Sequence, residues 1–229
     1  SRGLGDVYKR QSLPADFITV TGIHGLRKAI ERLLPDFYPL RSGYTTGACA
    51  TAAAKAALIR LLTGESLSEV RFRIPDGEEL SLPLASVCQE EETSATAAVV
   101  KDAGDDPDVT HRSVIEAKVA FAAQPGIRFL QGKGVGKVTL PGLGLPVGEP
   151  AINPVPRQMM MRELSALYGG GLEVTISVPG GEELALRTFN PKLGIVGGIS
   201  IIGTSGIVRP FSSEAFVEAI RREVEVCQA

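Results

Sequence analysis

The feature that most constrains what this chain can fold into is a pattern of alternating apolar residues around a turn, because the chain contains it twice. In the first copy, every second residue is apolar from Val70 to Ile74 and from Leu80 to Leu84. Such alternation is typical of half-buried strands, and the Asp-Gly pair within Pro75–Glu78 is a common hairpin turn. This segment therefore predicts a β-hairpin.

The second copy lies 104 residues further on, where Val174–Val178 and Leu184–Leu186 flank the turn segment Pro179–Glu182. A helix is predicted before each hairpin: the alanine-rich run Ala48–Leu62 before the first and Arg157–Leu167 before the second. Two helix–hairpin units of this kind predict the α+β class, with two pseudo-repeated units in one body.

Both predicted helices carry boundary signals. Thr45 or Thr46 can cap the first helix, and Gly64 stands where a left-handed C-terminal cap belongs. The segment Asn153–Pro156 opens the second helix, because proline is favoured in the first helical turn.

The chain divides into three parts. Residues 1–39 are predicted to be an N-terminal extension, partly disordered, with a short helix from Ile23 to Leu34. Residues 40–211 are predicted to form the α+β domain. Residues 212–229 are predicted to begin a second α/β portion with a capped amphipathic helix, whose apolar face has little later sequence to pack against. This last portion is therefore expected to be truncated.

Composition limits the class of partner and the compartment. The formal net charge is -2 at pH 7 and the pI is near 5.8, which provides no basic field for nucleic acid or an anionic membrane. Cys49, Cys88 and Cys227 are far apart and lack Cys-x-x-Cys spacing, so neither a disulfide framework nor a zinc site is predicted. No apolar run reaches the roughly 20 residues that span a bilayer, and a cytoplasmic location is expected. No pattern indicates an oligomeric state.

The densest polar segment is the loop Lys101–His111, which follows a predicted strand, Thr96–Val100. It holds one lysine, one histidine and four carboxylates, those of Asp102, Asp105, Asp106 and Asp108. One interpretation is a solvated turn whose Asp side chains cap backbone donors. The other is a site in which crowding raises the pKa of one carboxylate and makes it a proton acceptor, while Lys101 and His111 hold an acidic substrate. A protein-bound metal is not predicted, because the ligand spacing of a calcium loop is missing.

Two Gly-rich segments follow. Backbone N–H groups of Gly132–Lys137 can converge on an anion, although a tight hairpin is the more common use of such a cluster. The segment fits neither a P-loop nor a dinucleotide fingerprint. In Thr188–Pro210, glycines bracket a predicted strand, Ile195–Ile202, which indicates close approach to another layer or to a ligand. Gly-x-Ser-x-Gly is absent, so hydrolase chemistry is disfavoured.

Four segments, in order along the chain, closely resemble the signature segments of the CbiD family: Leu40–Ala50, Val100–His111, Gly132–Met159 and Thr188–Pro210. The resemblance implies an enzyme of anaerobic cobalamin biosynthesis. Such an enzyme transfers a methyl group from S-adenosylmethionine to C-1 of cobalt-precorrin-5B and gives cobalt-precorrin-6A. The partner is then a small tetrapyrrole, and cobalt belongs to the substrate rather than to the protein.

The resemblance also implies a fold. The family joins a body like the second domain of ribosomal protein S5 to a Rossmann-like portion, most of which is expected to be missing here. One departure from the family is Arg112, where glycine usually follows the histidine. Because glycine adopts backbone conformations that other residues avoid, this substitution places the usual shape of the loop in question.

Site roles follow from the resemblance, because the substrate is a macrocycle fringed with carboxylates that local cations can hold. One of Asp102, Asp105 or Asp106 is expected to orient the substrate or to accept a proton. The residues expected to bind the substrate are Thr45, Thr46, Lys101, His111, Lys133, Lys137, Arg157 and Arg209, and those expected to bind the methyl donor are Gly132, Gly134, Gly203, Thr204, Ser205 and Gly206.

Two other functions stay open at this point. The first is a non-catalytic fragment that binds a tetrapyrrole without methyl transfer. The second is a phosphate-transfer enzyme that uses Gly132–Lys137, which the missing P-loop pattern disfavours.

Overall fold

The computed structural model describes residues 40–210, together with Arg221 and Val224. The predicted extension 1–39 with its helix Ile23–Leu34, and the predicted second portion 212–229, lie outside the described residues, apart from Arg221 and Val224. Within the described part of the chain, no helix is long and apolar enough to cross a membrane.

The described elements are, in chain order, β1 (Gly43–Tyr44), α1 (Thr46–Thr63), β2 (Glu69–Arg73), β3 (Glu79–Pro83), β4 (Ser86–Glu91), β5 (Ser94–Val100), β6 (Val114–Ala122), β7 (Ile127–Gln131), β8 (Lys137–Val138), α2 (Pro154–Ser165), β9 (Gly171–Ser177), α3 (Gly181–Ala185), β10 (Ile195–Val196) and β11 (Ile207–Val208). The α+β class predicted from the sequence is confirmed.

Helix α1 begins and ends as the sequence predicts. The Thr45 hydroxyl accepts a hydrogen bond from the Ala48 N–H at 3.1 Å, which satisfies one of the free donors of the first turn. At the other end Gly64 has φ 76, and its N–H donates to the Arg60 carbonyl at 2.9 Å. The alanines of this helix are buried, so that neighbouring backbones can lie close to it on several sides.

A five-stranded sheet, in the order β4-β5-β6-β9-β7, forms the body of the structure. All neighbouring pairs are antiparallel except β7 with β9, which run parallel. Helix α1 packs on β4, β5 and β6, and α2 packs beside α1. The core between these layers contains fully buried Leu58, Ile115, Met160 and Ile176.

The first predicted hairpin is confirmed. Strands β2 and β3 pair antiparallel, with Phe72 opposite Leu80, and both residues are buried. Gly77 takes the left-handed conformation of the turn, with φ 93, and its N–H donates to the Ile74 carbonyl at 3.0 Å.

The second predicted hairpin is wrong, and with it the helix–hairpin repeat. Strand β9 carries the expected alternation, but after Pro179 the chain turns into α3 instead of a returning strand. Both edges of β9 are already paired, one with β6 and the other with β7, so no edge is free for a hairpin partner. Glu182 and Glu183 lie in the first turn of α3, where negative charge is favourable.

The long strand predicted over Ile195–Ile202 is also wrong for most of its length. Only Ile195–Val196 form a strand, which pairs with β8. Gly197, with φ 84, breaks the extended run, and the chain then makes isolated bridges at Ile199 and Ile201. The likeness of the body to the second domain of ribosomal protein S5 stays a prediction.

Candidate functional site

Three segments meet at the N-terminus of α1: 41–47, 101–112 and 202–208. Gly43 pairs with Val208, and the Tyr44 N–H donates to the Asp102 carbonyl at 2.7 Å. The segments lie so close that a Cβ on Gly43 would stand 2.0 Å from the backbone of Ala103. Glycine is therefore required at position 43 by packing within the protein.

The acidic loop is anchored from inside by Lys101. This lysine has a side chain that is only 1% exposed, and its Nζ lies 2.7 Å from Asp108 Oδ2. The other oxygen of Asp108 accepts hydrogen bonds from the Thr110 N–H at 2.7 Å and the Thr110 hydroxyl at 2.6 Å. Burial alone would raise the pKa of Asp108, but the lysine and these donors outweigh it, and the pKa is lowered. Lys101 therefore presents no surface to a substrate in this conformation.

Lys101 also lies near Cys49 of α1, and burial raises the pKa of that thiol to about 12. Lys101 is thus buried beside the α1 layer, whereas its partner Asp108 is 26% exposed. The role of this pair in the described structure is to fix the start and the turn of the loop.

The outer face of the loop is held by Arg41, which the sequence interpretation did not single out. The guanidinium makes two hydrogen bonds to the Asp102 carboxylate, one of them from Nη2 to Oδ1 at 3.1 Å. Together with the Gly104 N–H, which donates at 2.9 Å, Arg41 lowers the pKa of Asp102 to about 2. Asp105 accepts the Arg41 backbone N–H at 2.6 Å and returns its own N–H to the Arg41 carbonyl at 2.9 Å.

The expectation that crowding raises the pKa of a carboxylate is therefore wrong for Asp102 and Asp108. Each of the two has a cation within bonding distance, and a nearby positive charge favours the ionised form. Asp106 is half-buried, and its backbone N–H points to the Ala103 carbonyl at 3.4 Å. Asp102, Asp105 and Asp106 remain candidates for orienting a substrate.

His111 closes the loop. Its Nδ1 accepts the Ala103 backbone N–H at 3.1 Å and lies 3.9 Å from Asp102 Oδ1. Arg112 follows in the left-handed conformation, with φ 66, and its N–H donates to the Lys101 carbonyl at 2.8 Å. The loop thus takes a glycine-like backbone conformation at Arg112 although the residue is arginine, which costs about 1 kcal/mol.

Thr45 and Thr46 were expected to bind a substrate, but the structure gives both hydroxyls partners inside the protein. Thr45 caps α1, and the Thr46 hydroxyl accepts the Ile202 N–H at 2.9 Å and lies 3.2 Å from the Ile202 carbonyl. Both residues are buried, with 9% of Thr45 and 3% of Thr46 exposed. They hold the segment around Ile202 against the helix.

The loop Gly203–Gly206 lies beside them. The Gly206 carbonyl accepts the Thr45 N–H at 3.0 Å, and a Cβ on Gly203 would stand 2.3 Å from the Thr45 hydroxyl. Thr204, Ser205 and Arg209 are exposed at this same end of the structure. Asp105 is exposed as well, and the side chains of Asp102 and His111 are 41% and 35% exposed.

The glycines of Gly132–Lys137 serve tight packing. The Gly132 N–H donates to the Ile176 carbonyl at 2.9 Å, and a Cβ on Gly134 would stand 1.9 Å from the Val178 carbonyl oxygen. The hydrogen bonds and contacts of this segment therefore favour the packing interpretation over an anion cradle. Lys133 and Lys137 point their side chains outward and are exposed.

Lys137 and Arg157 line an open groove of about 520 Å³ between β7 and the segment 148–150. Arg157 is fixed there: its Nε donates to the Ile152 carbonyl at 2.8 Å, its Nη2 lies 3.1 Å from Glu149 Oε2, and the guanidinium stands 5.4 Å from the Phe129 ring centre. Within the described part of the chain, the Lys137 side chain has no hydrogen-bond or ion-pair partner.

The predicted site residues thus lie in two places, one around the acidic loop and one along the groove. They are joined by the segment 190–202, because Asn190 donates to the Gly198 carbonyl at 3.1 Å and Ser200 donates to Asn190 at 3.3 Å. The Ile199 N–H then bonds the Gly134 carbonyl at 2.9 Å. Among residues 40–210, Arg221 and Val224, no group of three or more metal-ligating side chains is arranged to hold an ion.

Comparison with known proteins gives a consistent result. The family model described as CbiD matches residues 35–210, a range that includes every predicted site residue. The chain is 56% identical over 196 residues to the cobalt-precorrin-5B C(1)-methyltransferase of Pseudomonas paraeruginosa PA7, covering 83% of this chain and 53% of that protein. The protein of the same name from Burkholderia cenocepacia HI2424 is also 56% identical, with 83% and 54% covered.

Among solved structures, the chain is similar to a crystal structure of the cobalamin biosynthesis protein cbiD from Archaeoglobus fulgidus. The TM-score is 0.58 and the sequence identity 33%, over 80% of this chain and 59% of that one. The chain spans about half the length of the curated relatives it matches.

Proposed function

The chain belongs to the CbiD family, and on that premise we propose that it serves methyl transfer from S-adenosylmethionine to C-1 of cobalt-precorrin-5B, giving cobalt-precorrin-6A in cobalamin biosynthesis. The observation that carries the proposal is the 56% identity over 196 residues to relatives of that name. The family match over residues 35–210 contains the whole candidate site. The free thiols Cys49 and Cys88 fit a cytoplasmic reaction.

The acidic-loop end of the structure is the surface that we assign to the substrate. Its carboxylates are paired or bonded within the protein, which removes much of the repulsion that a polycarboxylate macrocycle would meet. The outward donors are the His111 ring, the Thr204 hydroxyl and the Arg209 guanidinium, whereas the exposed Ser205 hydroxyl donates to the Ile207 carbonyl at 2.9 Å. Donors of this kind bind and orient carboxylate oxygens.

At two of the glycines expected to hold the methyl donor, the protein itself fills the adjacent space. The space that a Cβ would fill at Gly134 is taken by the Val178 carbonyl, and at Gly203 by the Thr45 side chain. A sulfonium methyl group is already activated, so the task left to the protein is to position the reacting carbon and exclude water. This internal packing of the two glycines favours the second candidate function, macrocycle binding by this chain without methyl transfer.

Isothermal titration with S-adenosylhomocysteine and, separately, with a corrinoid precursor distinguishes the two candidates. Binding of both supports the transferase, and binding of the macrocycle alone supports the second candidate. If the chain binds neither, both functions are refuted for it. The variant Arg209→Gln is expected to weaken macrocycle binding about tenfold, whereas the exposed cation Arg71 on β2, replaced in the same way, is expected to leave it unchanged.

The role of Asp102 is tested by Asp102→Asn in the full-length protein, because asparagine keeps an oxygen for the Gly104 N–H but loses the charge. A carboxylate with a pKa of about 2 is a poor proton acceptor near neutral pH. We therefore expect turnover to fall less than about tenfold. A loss of about 100-fold or more would assign Asp102 to proton transfer.

A further inference from the structure

The ring of His111 is held in one tautomer by a backbone hydrogen bond. Its Nδ1 lies 3.1 Å from the Ala103 backbone nitrogen, which can only donate. Nδ1 must therefore be the acceptor, and in the neutral ring the proton sits on Nε2.

Both partners in this bond are fixed in place. Ala103 is fully buried and packs against Gly43, so its N–H cannot turn away. The His111 backbone N–H donates to the Asp108 carbonyl at 3.0 Å, and Asp108 is held by buried Lys101. The ring is thus anchored at its backbone and at Nδ1.

The opposite nitrogen is open to a ligand. The His111 side chain is 35% exposed. Within the described part of the chain, Nε2 has no hydrogen-bond partner and is accessible to solvent. A proton on Nδ1 would face the Ala103 N–H, so this hydrogen bond favours the ring that carries its proton on Nε2. The charged groups near the ring are Asp102, at 3.9 Å from Nδ1, and Arg41, which already pairs with Asp102.

We propose that neutral His111 donates a hydrogen bond from Nε2–H to a carboxylate or carbonyl oxygen of the macrocycle, and that it neither accepts a proton nor binds as a cation. This inference rests on the proposed function for the identity of the ligand. The tautomer itself is a property of the protein alone.

The tautomer is measured by long-range ¹H–¹⁵N correlation spectra of the histidine rings above the titration of the ring. The chain has two histidines, so the variant His24→Gln leaves the His111 signals alone and assigns them. The expected spectrum is that of an Nε2-protonated ring. An Nδ1-protonated ring, or a rapidly exchanging mixture, would overturn the proposal whatever the protein binds.

The donor role is measured by titration of a corrinoid precursor into matched variants of the full-length protein. Glutamine places its amide N–H near the position of Nε2, whereas asparagine places it near Nδ1. We expect His111→Gln to keep the affinity within about threefold and His111→Asn and His111→Ala to lose about tenfold or more. If His111→Gln binds as weakly as His111→Ala, the donor role is wrong.

The pH dependence separates a neutral donor from a cation. A neutral Nε2–H persists as pH rises, so the His111 contribution, taken as the ratio of wild-type to His111→Ala affinity, should not fall between pH 6 and pH 8. A loss of this contribution over that range would show that the charged ring binds. If the wild-type protein does not bind the macrocycle while the spectrum shows the expected tautomer, the proposed function fails and the donor role falls with it.

Discussion

Replacement of Lys101 by methionine tests whether the buried ion pair holds the acidic loop. Methionine fits the apolar surroundings of the lysine stem but leaves the Asp108 carboxylate without its cation. Removing one partner of a fully buried pair costs about 3–5 kcal/mol. Asp108 is 26% exposed and keeps two hydrogen bonds from Thr110, so we expect a smaller loss of stability than for a fully buried pair, about 2 kcal/mol.

The measurement is the free energy of unfolding in urea at pH 7, followed by far-UV circular dichroism because the chain has no tryptophan. A cycle with Asp108→Asn and the double variant isolates the interaction, for which we expect a coupling of about 1–2 kcal/mol. Exposed Lys133→Met is the control and should change stability by less than about 0.5 kcal/mol.

The pH dependence supplies a second check on the same pair. The folded-state pKa of Asp108 is lowered, so its stabilising contribution is present above the unfolded value and is lost as pH falls through the folded pKa. The difference between wild type and Lys101→Met should therefore shrink on acidification below about pH 4. A coupling near zero, or a difference that grows in acid, would refute the assignment of Lys101 as the anchor of the loop.

Three further changes test the packing around the site. Glu163→Gln removes the carboxylate partner of Lys55, 2.9 Å away, and should lower the free energy of unfolding in urea by about 1–2 kcal/mol at pH 7. Burial would raise the pKa of Glu163, but its hydrogen-bond donors lower it, so the stability difference between wild type and variant should narrow below about pH 4.5. A stability difference that does not change with pH would contradict this. Gly134→Ala, at φ 73, places a Cβ 1.9 Å from a carbonyl oxygen and should lower stability in thermal unfolding by more than about 2 kcal/mol. The control Gly144→Ala has a similar φ of 66 but open space around it, and should lower stability by about 1 kcal/mol. Equal losses of stability would show that packing is unimportant at Gly134. Arg112→Gly, at φ 66, should stabilise the protein by about 0.5 kcal/mol in urea, and destabilisation would mean that the arginine side chain contributes more than its backbone conformation costs.

The parts of the fold that the sequence predicts are those with local signals. Helix α1 has its cap at Thr45 and its stop at Gly64, and the first hairpin has its turn at Gly77, all within a few residues of the element they bound. The second hairpin carries similar alternation around Gly180. What prevents it is the pairing of β9 with β6 and β7, which no pattern near Gly180 records.

In the candidate site as well, the sequence predicts the features that have local signals and misses those that depend on distant contacts. The acidic composition of Lys101–His111 is plain in the sequence, and it predicts crowded carboxylates. The cation that pairs with Asp102 is Arg41, which is 61 residues away in sequence and reaches the loop only because β1 lies against it. The direction of the pKa shift at Asp102 therefore depends on a tertiary contact, and the expectation of a raised pKa is wrong for this carboxylate.

The pairing of charges within the loop changes what the loop can offer to an anionic ligand. Lys101 and Arg41 are taken up by Asp108 and Asp102, so neither is available as a free cation. In return, the two carboxylates remain ionised without projecting unpaired negative charge toward a ligand. Under the proposed function, recognition of a polycarboxylate at this surface depends on groups without an internal partner in the described structure, above all the Nε2–H that we propose for His111. A site of this kind orients its ligand by directed hydrogen bonds rather than by net charge, which suits a reaction in which one carbon of a large macrocycle must be presented.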